Sequence, residues 1–474
     1  MKERLLNHSL IEKLRTGFTQ GVQKANELDR RVLVSITHPF AGPIDPILLF
    51  SPTSKPKELK IFWSQPAHNF WLVGIGNECQ LPSEKTHGLP NVRKDYQSLL
   101  NEGLLMGINN SGTGPLMFGG FKFDPEADPD QLWSEFPNEF FSIPNILITN
   151  DADRYWVTVN TIVQPEFKPS ILLEQTVGSL RALGEFRRSQ HSTEPEQLNA
   201  KKPLNISQEE WNTRVNLALD TIKTASLEKV VLARTKEFNL SQNFKIQHAF
   251  NDLCVRNKES TIFGISIGNS TFFGATPETL LRSANGFLTS ICLAGSIRRG
   301  KTQAEDESLS QQLFHSAKDQ SEHMTVVREI SRIFRETCDN ISWDKAPTIL
   351  KLPTVQHLAT NFSGVLKTGV DIFQLLDQLH PTPAVGGVPR EKAMEFIRQS
   401  EGDRGWYASP IGWIDGNDNG EFVIAIRSGL IRDSRAVLFA GSGIVKGSTP
   451  ESEWAETELK FKPLLSALNG DVEE

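Results

Sequence analysis

The chain has 474 residues, which allows about two or three domains or one large unit of mixed helices and strands. Its composition, with 38% hydrophobic and 23% charged residues, excludes disordered, collagen-like and coiled-coil proteins. The net charge of −7, from 50 basic and 57 acidic side chains, gives no electrostatic reason to expect binding to nucleic acid or to an anionic membrane.

The beginning of the chain and the cysteines indicate a cellular compartment. Met1–Leu6 carries charges and lacks the apolar segment of a secretory signal peptide. No apolar run approaches the ~18–20 residues that a membrane span needs. The chain has four cysteines, which are Cys79, Cys254, Cys292 and Cys338. Their spacing matches neither a zinc motif nor a dense disulfide framework. We therefore expect a soluble protein of the reducing cytoplasm.

Up to about residue 185 the chain reads as short strands separated by turns. Four alternating or apolar segments predict strands, which are Ile61–Trp63, Phe70–Gly74, Phe118–Phe123 and Tyr155–Val159. The third is expected to stop at Asp124–Pro125, because this pair initiates turns. The polar stretch 187–203 follows and is the best candidate linker in the chain.

After this stretch the signals become sharper. Ser207–Glu210 reads as a capping box, and apolar residues at helical spacing predict a helix to about Thr224. Lys229–Arg234 reads as a buried strand. Phe263–Ile267 and Thr271–Ala275 read as the two strands of a hairpin.

The last third of the chain completes a mixed α/β pattern. A helix is predicted from near Asp319 to about Thr337, and strands at Phe422–Arg427 and Ala436–Ala440. Gly441–Gly443 is predicted to be a turn, either a plain connection or a place where backbone amides approach an anion. Thr449 is expected to cap the final helix, with Pro450 as its first residue.

Two acidic pairs are candidate ligands of a hard cation. Asp319 and Glu322 are three residues apart on one predicted helix, as are Glu453 and Glu456 on another. Residues at this spacing share a helix face, so two facing helices could offer carboxylates to Mg²⁺, which prefers oxygen ligands. The alternative from spacing alone is that both pairs lie on solvated helix faces.

Four single residues have chemistry worth testing. Lys229 could be a buried general base or could reach solvent, and Glu278 could be a general acid or a loop carboxylate. His357 lies in an apolar segment that suits a satisfied core histidine. Arg427 follows an apolar run and could be a bidentate ligand of a carboxylate or lie at the rim of the sheet.

Seven segments taken together resemble the chorismate-binding enzymes. In chain order they are Lys229–Arg234, Ala275–Arg282, Leu293–Arg298, Lys318–His323, His380–Gly387, Ala425–Arg427 and Gly441–Lys460. The resemblance covers residues 205–468 as the catalytic region, with 1–200, including Gly119–Pro125, as the variable N-terminal half of the same fold. It implies an α/β fold of the α+β type, in which two antiparallel β-sheets pack together with helices outside.

The resemblance also implies a reaction. Members of this family that add water at C2 of chorismate typically carry Lys at the position of Lys229. Members that use ammonia typically carry Gln at that position. Ala294 stands where aminodeoxychorismate synthases usually carry a nucleophilic Lys. The implied activity is that of an isochorismate synthase, an isomerase expected in menaquinone or phylloquinone biosynthesis and without a glutaminase subunit. Salicylate synthase, isochorismate synthesis for siderophores and a non-catalytic chorismate-binding relative are the alternatives.

The roles of individual residues follow from the same resemblance. Lys229 would be the base for water, Glu278 the acid for the departing C4 hydroxyl, and His357 would lie near that hydroxyl. Glu322 and Glu456 would bind Mg²⁺ directly, while Asp319 and Glu453 would hold its waters. The substrate would be bound by Gly295, Arg427, Gly441 and Lys460. The family often has Glu at position 319, so the shorter Asp319 departs from its pattern.

Overall fold

Two large β-sheets pack face to face in the computed structural model, which describes residues 5–50, 58–81, 89–107, 110–185, 206–241 and 244–469. The described α-helices are α1 His8–Leu28, α2 Pro46–Leu49, α3 Leu89–Glu102, α4 Pro169–Glu185, α5 Gln208–Lys223, α6 Ile246–Arg256, α7 Gln303–His315, α8 Ala317–Thr337, α9 Ile372–Leu379, α10 Arg390–Glu401 and α11 Pro450–Asn469. Short 3₁₀ helices span Pro66–His68 and Gln131–Trp133. None of the described helices is long and apolar enough to cross a lipid bilayer.

The described strands lie between these helices, singly or in consecutive runs. They are β1 Val32–Phe40, β2 Lys60–Gln65, β3 Phe70–Ile75, β4 Cys79–Leu81, β5 Leu104–Met106, β6 Met117–Phe121, β7 Glu139–Ile143, β8 Ile146–Asp151, β9 Arg154–Val163, β10 Lys229–Asn239, β11 Thr261–Ile267, β12 Ser270–Thr276, β13 Thr279–Ala284, β14 Phe287–Arg298, β15 Cys338–Trp343, β16 Thr348–Lys351, β17 Val355–Leu366, β18 Gly387–Val388, β19 Pro410–Ile414, β20 Gly420–Ile424, β21 Ser428–Arg432 and β22 Arg435–Val445.

The sheets are built from both halves of the chain. One has twelve strands in the order β18-β10-β22-β21-β12-β11-β2-β3-β8-β9-β1-β5, and the other has ten in the order β15-β17-β14-β13-β20-β19-β6-β7-β4, with β16 beside β17. Among the described strands only β1 and β5 pair in parallel. The pairs β2–β11 and β6–β19 join the N-terminal half to the C-terminal half. The predicted linker at 187–203 lies outside the described residues, and the division at 200/205 stays a prediction.

Large apolar side chains fill the space between the sheets. Trp63 on β2 and Phe118 on β6 come from different sheets, are fully buried, and have ring centroids 5.8 Å apart in an edge-to-face arrangement. Phe62, the neighbour of Trp63, points to the opposite face because side chains alternate along a strand. There it stacks on Phe250 of α6, with ring centroids 4.5 Å apart. Burying each such ring contributes roughly 2–3 kcal/mol, so both faces of the sheet stabilise the fold.

Most of the predicted elements are confirmed. The strand segments of the N-terminal half lie in β2, β3, β6 and β9, and the hairpin is β11–β12. Ser207 caps α5 by accepting a hydrogen bond from the Glu210 N–H, at 3.0 Å. Thr449 caps α11 through its hydroxyl, which accepts from the Ser452 N–H at 3.3 Å.

Two predictions near the end of the chain are wrong. Gly441–Gly443 is not a turn, because β22 continues through it to Val445 and pairs Gly441 with Ala233 of β10. The strand predicted at Phe422–Arg427 ends at Ile424, and Arg427 lies beyond it with a φ of 50° in the left-handed region, which is not a strand conformation.

Candidate active site

A cavity between the two sheets gathers most of the predicted site residues. It is walled by β14 and β17 from one sheet, by β22 from the other, and by helices α8 and α11. Eight predicted residues line it: Glu278, Gly295, Glu322, His357, Arg427, Gly441, Glu456 and Lys460. The other three, Lys229, Asp319 and Glu453, lie next to this lining and not on it.

Lys229 is the first residue of β10 and its side chain is 1% exposed, so it does not reach solvent. Its Nζ lies 2.8 Å from Oε1 of Glu322, which projects from α8. Gly443 on β22 leaves room for this pair, because a Cβ there would lie 2.5 Å from Glu322 Oε1 and 3.0 Å from Lys229 Cε. The glycine that sequence reasoning assigned to a turn is thus a point of close approach within a strand.

Glu278 lies in the tight connection between β12 and β13 and is buried. Its backbone is fixed on both sides: its N–H donates to Thr276 Oγ1 at 3.2 Å, and its carbonyl accepts from the Ile424 N–H at 3.0 Å. Burial raises the pKa of its carboxyl to about 8, although nearby Lys and Arg side chains oppose the shift. A carboxyl with this pKa is largely protonated at neutral pH and can donate a proton.

The two predicted acidic residues of α11, Glu453 and Glu456, are each paired with a lysine. Glu456 Oε1 lies 2.6 Å from the Nζ of Lys460, one turn further along the helix. Burial opposes ionisation of Glu456, but Lys460 and Lys318 hold its pKa below the usual value. Glu453 is buried, with Oε1 2.9 Å from Lys318 Nζ and Oε2 accepting from Ser442 Oγ at 2.5 Å. The faces that carry these carboxylates are therefore not solvated, and the Lys318–Glu453 pair joins α8 to α11.

Asp319 lies in the first turn of α8, where its N–H donates to Ser316 Oγ at 3.3 Å. Burial raises the pKa of its carboxyl, and the charges of Glu322 and Glu456 add to that effect. Asp319, Glu322 and Glu456 therefore lie close enough for their charges to interact. A Cβ at Gly295 would lie 3.1 Å from the Cβ of Asp319, so Gly295 is where β14 passes close to α8.

The carboxylates of the cavity form a donor set for a divalent cation. In the described part of the chain, no three His, Cys, Asp or Glu side chains gather closely enough to hold a metal ion together. Glu322 and Glu456 nevertheless line the same cavity from two helices. Since Mg²⁺ commonly takes one or two direct carboxylates and keeps several waters, this oxygen donor pair fits Mg²⁺.

Arg427 and His357 lie side by side in the cavity wall. Arg427 Nη2 lies 3.1 Å from His357 Nε2, and His357 Nδ1 lies 2.8 Å from Ser296 Oγ. Burial, with Arg427 and Lys460 adding to it, lowers the pKa of His357 well below its usual value. Burial also lowers the pKa of Arg427, to about 10, so the guanidinium remains charged at neutral pH and the imidazole is neutral.

Two glycines shape the wall of the cavity. Gly295 has a φ of 77° at an irregularity in the β14–β17 pairing between Ala294 and Ser296, a conformation that glycine adopts at low cost. Gly441 lies on β22, and its carbonyl accepts a hydrogen bond from Lys460 Nζ at 2.8 Å. The amine of Lys460 is therefore held at the cavity by both Gly441 and Glu456.

Sequence reasoning missed three polar side chains of this wall. Ser296 directly follows Gly295 in the segment Leu293–Arg298, and this position next to a predicted site residue could have indicated it. Tyr407 and Arg404 line the cavity from the loop before β19, which has no periodic pattern to mark them. Arg404 is buried and donates to the carbonyl of Val231 at 2.7 Å, so it ties this loop to β10.

Comparison with known proteins extends over nearly the whole chain. A family model described as chorismate binding enzyme matches residues 20–469. Isochorismate synthase MenF of Bacillus subtilis is 35% identical over 458 residues, which are 95% of this chain and 96% of that protein. The salicylate biosynthesis isochorismate synthase of Pseudomonas aeruginosa is 33% identical over 470 residues, which are 97% and 95% of the two chains.

Solved structures share the architecture. MenF, the menaquinone-specific isochorismate synthase from Escherichia coli, superimposes with a TM-score of 0.77 at 23% identity, covering 96% of this chain and all of that one. Anthranilate synthase component I from Streptococcus pneumoniae gives a TM-score of 0.65 at 20% identity, covering 87% and 93%. At these identities the likeness concerns the fold, and it confirms the predicted arrangement of two packed antiparallel sheets.

Proposed function

This chain belongs to the chorismate-binding enzyme family, and we propose that it is an isochorismate synthase, an isomerase that converts chorismate into isochorismate. Two relatives that match 95% and 97% of the chain bear that name. The observation that carries the proposal is the buried Glu278, whose pKa of about 8 gives a proton donor in the same cavity as Arg427 and Lys460. A dianionic substrate that must lose a hydroxyl needs such a donor and such cations.

The proposed reaction exchanges one hydroxyl for another. Water adds at C2 of chorismate, the ring double bonds shift, and the C4 hydroxyl leaves as water. Hydroxide is a poor leaving group, so Glu278 donates its proton to the departing oxygen. Lys229 accepts the proton that the attacking water loses. One proton is taken up and one is released, which balances an isomerisation.

Lys229 is not free to act in the arrangement described above. Its Nζ lies against Glu322 and outside the cavity lining. We infer that the amine turns from Glu322 toward the ring when the site is filled. Its burial supports this role, because a closed site keeps bulk water from competing with the single water that attacks.

In this proposal the cavity binds both the carboxylates of the substrate and a metal ion. Arg427 and Lys460 bind the carboxylates of chorismate, with Gly441 and Gly295 leaving room for the ring. Glu322 and Glu456 would bind Mg²⁺ directly. Asp319 and Glu453 would bind the waters of the ion. A Mg²⁺ ion bound there would neutralise the ring carboxylate and draw charge from the ring.

Two residues favour water over ammonia as the nucleophile. Lys229 supplies the base that water needs and ammonia does not, and Ala294 offers no amine that could attack the ring. We therefore propose that the enzyme works without a glutaminase subunit. The four free cysteines support the reducing cytoplasm as its location.

The pathway that the enzyme supplies is a further part of the proposal. We favour menaquinone or phylloquinone biosynthesis, because the MenF of Bacillus subtilis matches the chain over 95% of its length. The relative from Pseudomonas aeruginosa is named as an isochorismate synthase of salicylate biosynthesis and matches just as far, so supply of isochorismate for salicylate biosynthesis is the second candidate.

One product analysis tests these proposals together. The purified protein is incubated with chorismate and Mg²⁺, and the mixture is separated by chromatography. Isochorismate without pyruvate supports the isomerase, whereas salicylate with an equal amount of pyruvate supports a salicylate synthase. Unchanged chorismate from a folded protein would contradict both.

A further inference from the structure

A chain of two hydrogen bonds runs from the cavity into β14. Arg427 Nη2 lies 3.1 Å from His357 Nε2, and Ser296 Oγ lies 2.8 Å from His357 Nδ1. A guanidinium can only donate hydrogen bonds, so Nε2 must be the acceptor and carries no proton. A neutral imidazole then has its proton on Nδ1, which donates to Ser296 Oγ. The direction of every bond in the chain is thereby fixed.

The charges around His357 favour the same state. The imidazole is buried on β17, and the cations Arg427 and Lys460 both face it. A third positive charge here would be costly, which agrees with the lowered pKa of this histidine. The lone pair on Nε2, which general base catalysis would require, is already occupied by the guanidinium.

We propose that Ser296 and His357 are positioning residues, in which Ser296 holds the Nδ1–H tautomer of His357 and His357 aims the Arg427 guanidinium at a carboxylate of the substrate. This inference rests on the proposed function for the identity of the substrate, but not for the tautomer. In the described structure His357 is the side chain that fixes Arg427 by a hydrogen bond. The expectation that His357 lies near the departing hydroxyl stays a prediction, and the role proposed here is an additional one.

The tautomer is measured directly, without any turnover. The protein is labelled with ¹⁵N-histidine, and long-range ¹H–¹⁵N spectra are recorded near pH 7. The signal of His357, one of ten histidines, is identified by its loss in His357→Gln. We expect a protonated Nδ1 and an unprotonated Nε2. An imidazolium or an Nε2–H tautomer in the folded protein would overturn the proposal.

The kinetic test compares two replacements of His357. Glutamine can place its side-chain oxygen near the position of Nε2 and still accept from Arg427, whereas leucine cannot. We expect His357→Leu to raise KM for chorismate about tenfold or more, as for the loss of a hydrogen bond to a charged group. His357→Gln should recover KM to within about threefold of wild type, with kcat little changed. A kcat that falls about a hundredfold in both variants, with KM unchanged, would instead assign His357 an acid–base role.

Ser296 provides the second arm and its control. Ser296→Ala should raise KM and let the ¹⁵N spectrum show a mixture of tautomers, while Ser296→Thr should restore both. Ser290 lies on the same strand and is also buried, but its hydroxyl has no partner in the described structure, so Ser290→Ala should change neither readout. If wild type fails to convert chorismate, the proposed function fails while the spectra still decide the tautomer. If Ser296→Ala keeps the spectra and the KM of wild type, the Ser296 hydroxyl does not position His357.

Discussion

Lys229 Nζ lies 2.8 Å from Glu322 Oε1, which pairs the proposed base with a proposed metal ligand. The two side chains are 1% and 12% exposed, so water screens their attraction poorly. While this pair is formed, Glu322 offers a cation only the oxygen that Lys229 leaves free. Binding of Mg²⁺ and release of Lys229 are therefore expected to be coupled.

The coupling predicts opposite effects of one substitution. Lys229→Gln should abolish most turnover, because the base is lost, yet it should bind Mn²⁺ at least as tightly as wild type, because Glu322 loses its competitor. Turnover is measured by chromatography and Mn²⁺ binding by electron paramagnetic resonance. Lys236→Gln is the matched control, since Lys236 lies on the same strand and pairs with Glu458 on α11. A kcat within about threefold of wild type, less than ~1 kcal/mol, would reject the base.

Removal of the metal gives the second prediction. Exhaustive chelation should stop turnover, and Mg²⁺ should restore it. Glu322→Gln and Glu456→Gln should each cost roughly a few kcal/mol of transition-state stabilisation, because each removes one anionic ligand. Glu336→Gln, on the exposed face of the same helix as Glu322, should behave like wild type. Full activity in excess EDTA would contradict the assignment of a metal.

The strands and helices that frame the site could be predicted because their signals are local. Lys229–Arg234 is an apolar run of the length of a buried strand, and Asp319–Thr337 repeats apolar residues at helical spacing. Both lie where the sequence places them, in β10 and α8. The gathering of eight site residues in one cavity depended on the family resemblance, since spacing alone left solvated helix faces as the simpler reading.

The contacts that sequence could not supply are long-range. Gly441 and Gly443 read as a turn because glycine usually marks one, but they lie in a strand where other side chains approach closely. Arg427 lies beyond the end of β20 with a left-handed φ, and no glycine stands at this position to mark the change of conformation. The partners of the acidic residues, such as Lys318 for Glu453, come from another helix and follow only from the packing.

The nucleophile gives a third prediction. The enzyme should convert chorismate in the absence of ammonia and glutamine and should form no aminated product when ammonium is present in excess. The reason is that Lys229 activates water, and Ala294 supplies no amine. Products are compared by mass spectrometry with and without ammonium at constant pH. Anthranilate or aminodeoxychorismate as the main product would overturn this assignment.

Glu278 predicts a dependence on pH for both turnover and stability. Its pKa of about 8 in the folded protein lies above the usual 4.5, so between these values the folded state holds a proton that the unfolded state releases. Stability from this group is therefore present below about pH 4.5 and lost as the pH rises through 8. Turnover should fall above about pH 8, when Glu278 loses the proton that it must donate.

Glu278→Gln separates these two effects. The variant should lose most turnover at every pH, because the amide donates no proton to the leaving hydroxyl. Its melting temperature should exceed that of wild type by a margin that grows from pH 5 to pH 8, since the amide has no charge to bury. If the difference in melting temperature between Glu278→Gln and wild type stays constant from pH 5 to pH 8, Glu278 is ionised in the folded protein.

Gly443 gives the last prediction, because it tests how closely Glu322 is confined. A Cβ at this position would lie 2.5 Å from Glu322 Oε1 and 3.0 Å from Lys229 Cε, so Gly443→Ala must displace the carboxylate. We expect turnover to fall at least about tenfold and Mn²⁺ to bind more weakly, with a loss of stability of roughly 1–3 kcal/mol from overpacking. Gly178→Ala on α4 is the control, since its Cβ would meet no atom within 4 Å and should stabilise the helix by about 0.5–1 kcal/mol. Wild-type Mn²⁺ affinity in Gly443→Ala would mean that Glu322 can move aside freely, and the close approach of β22 would then not define the metal site.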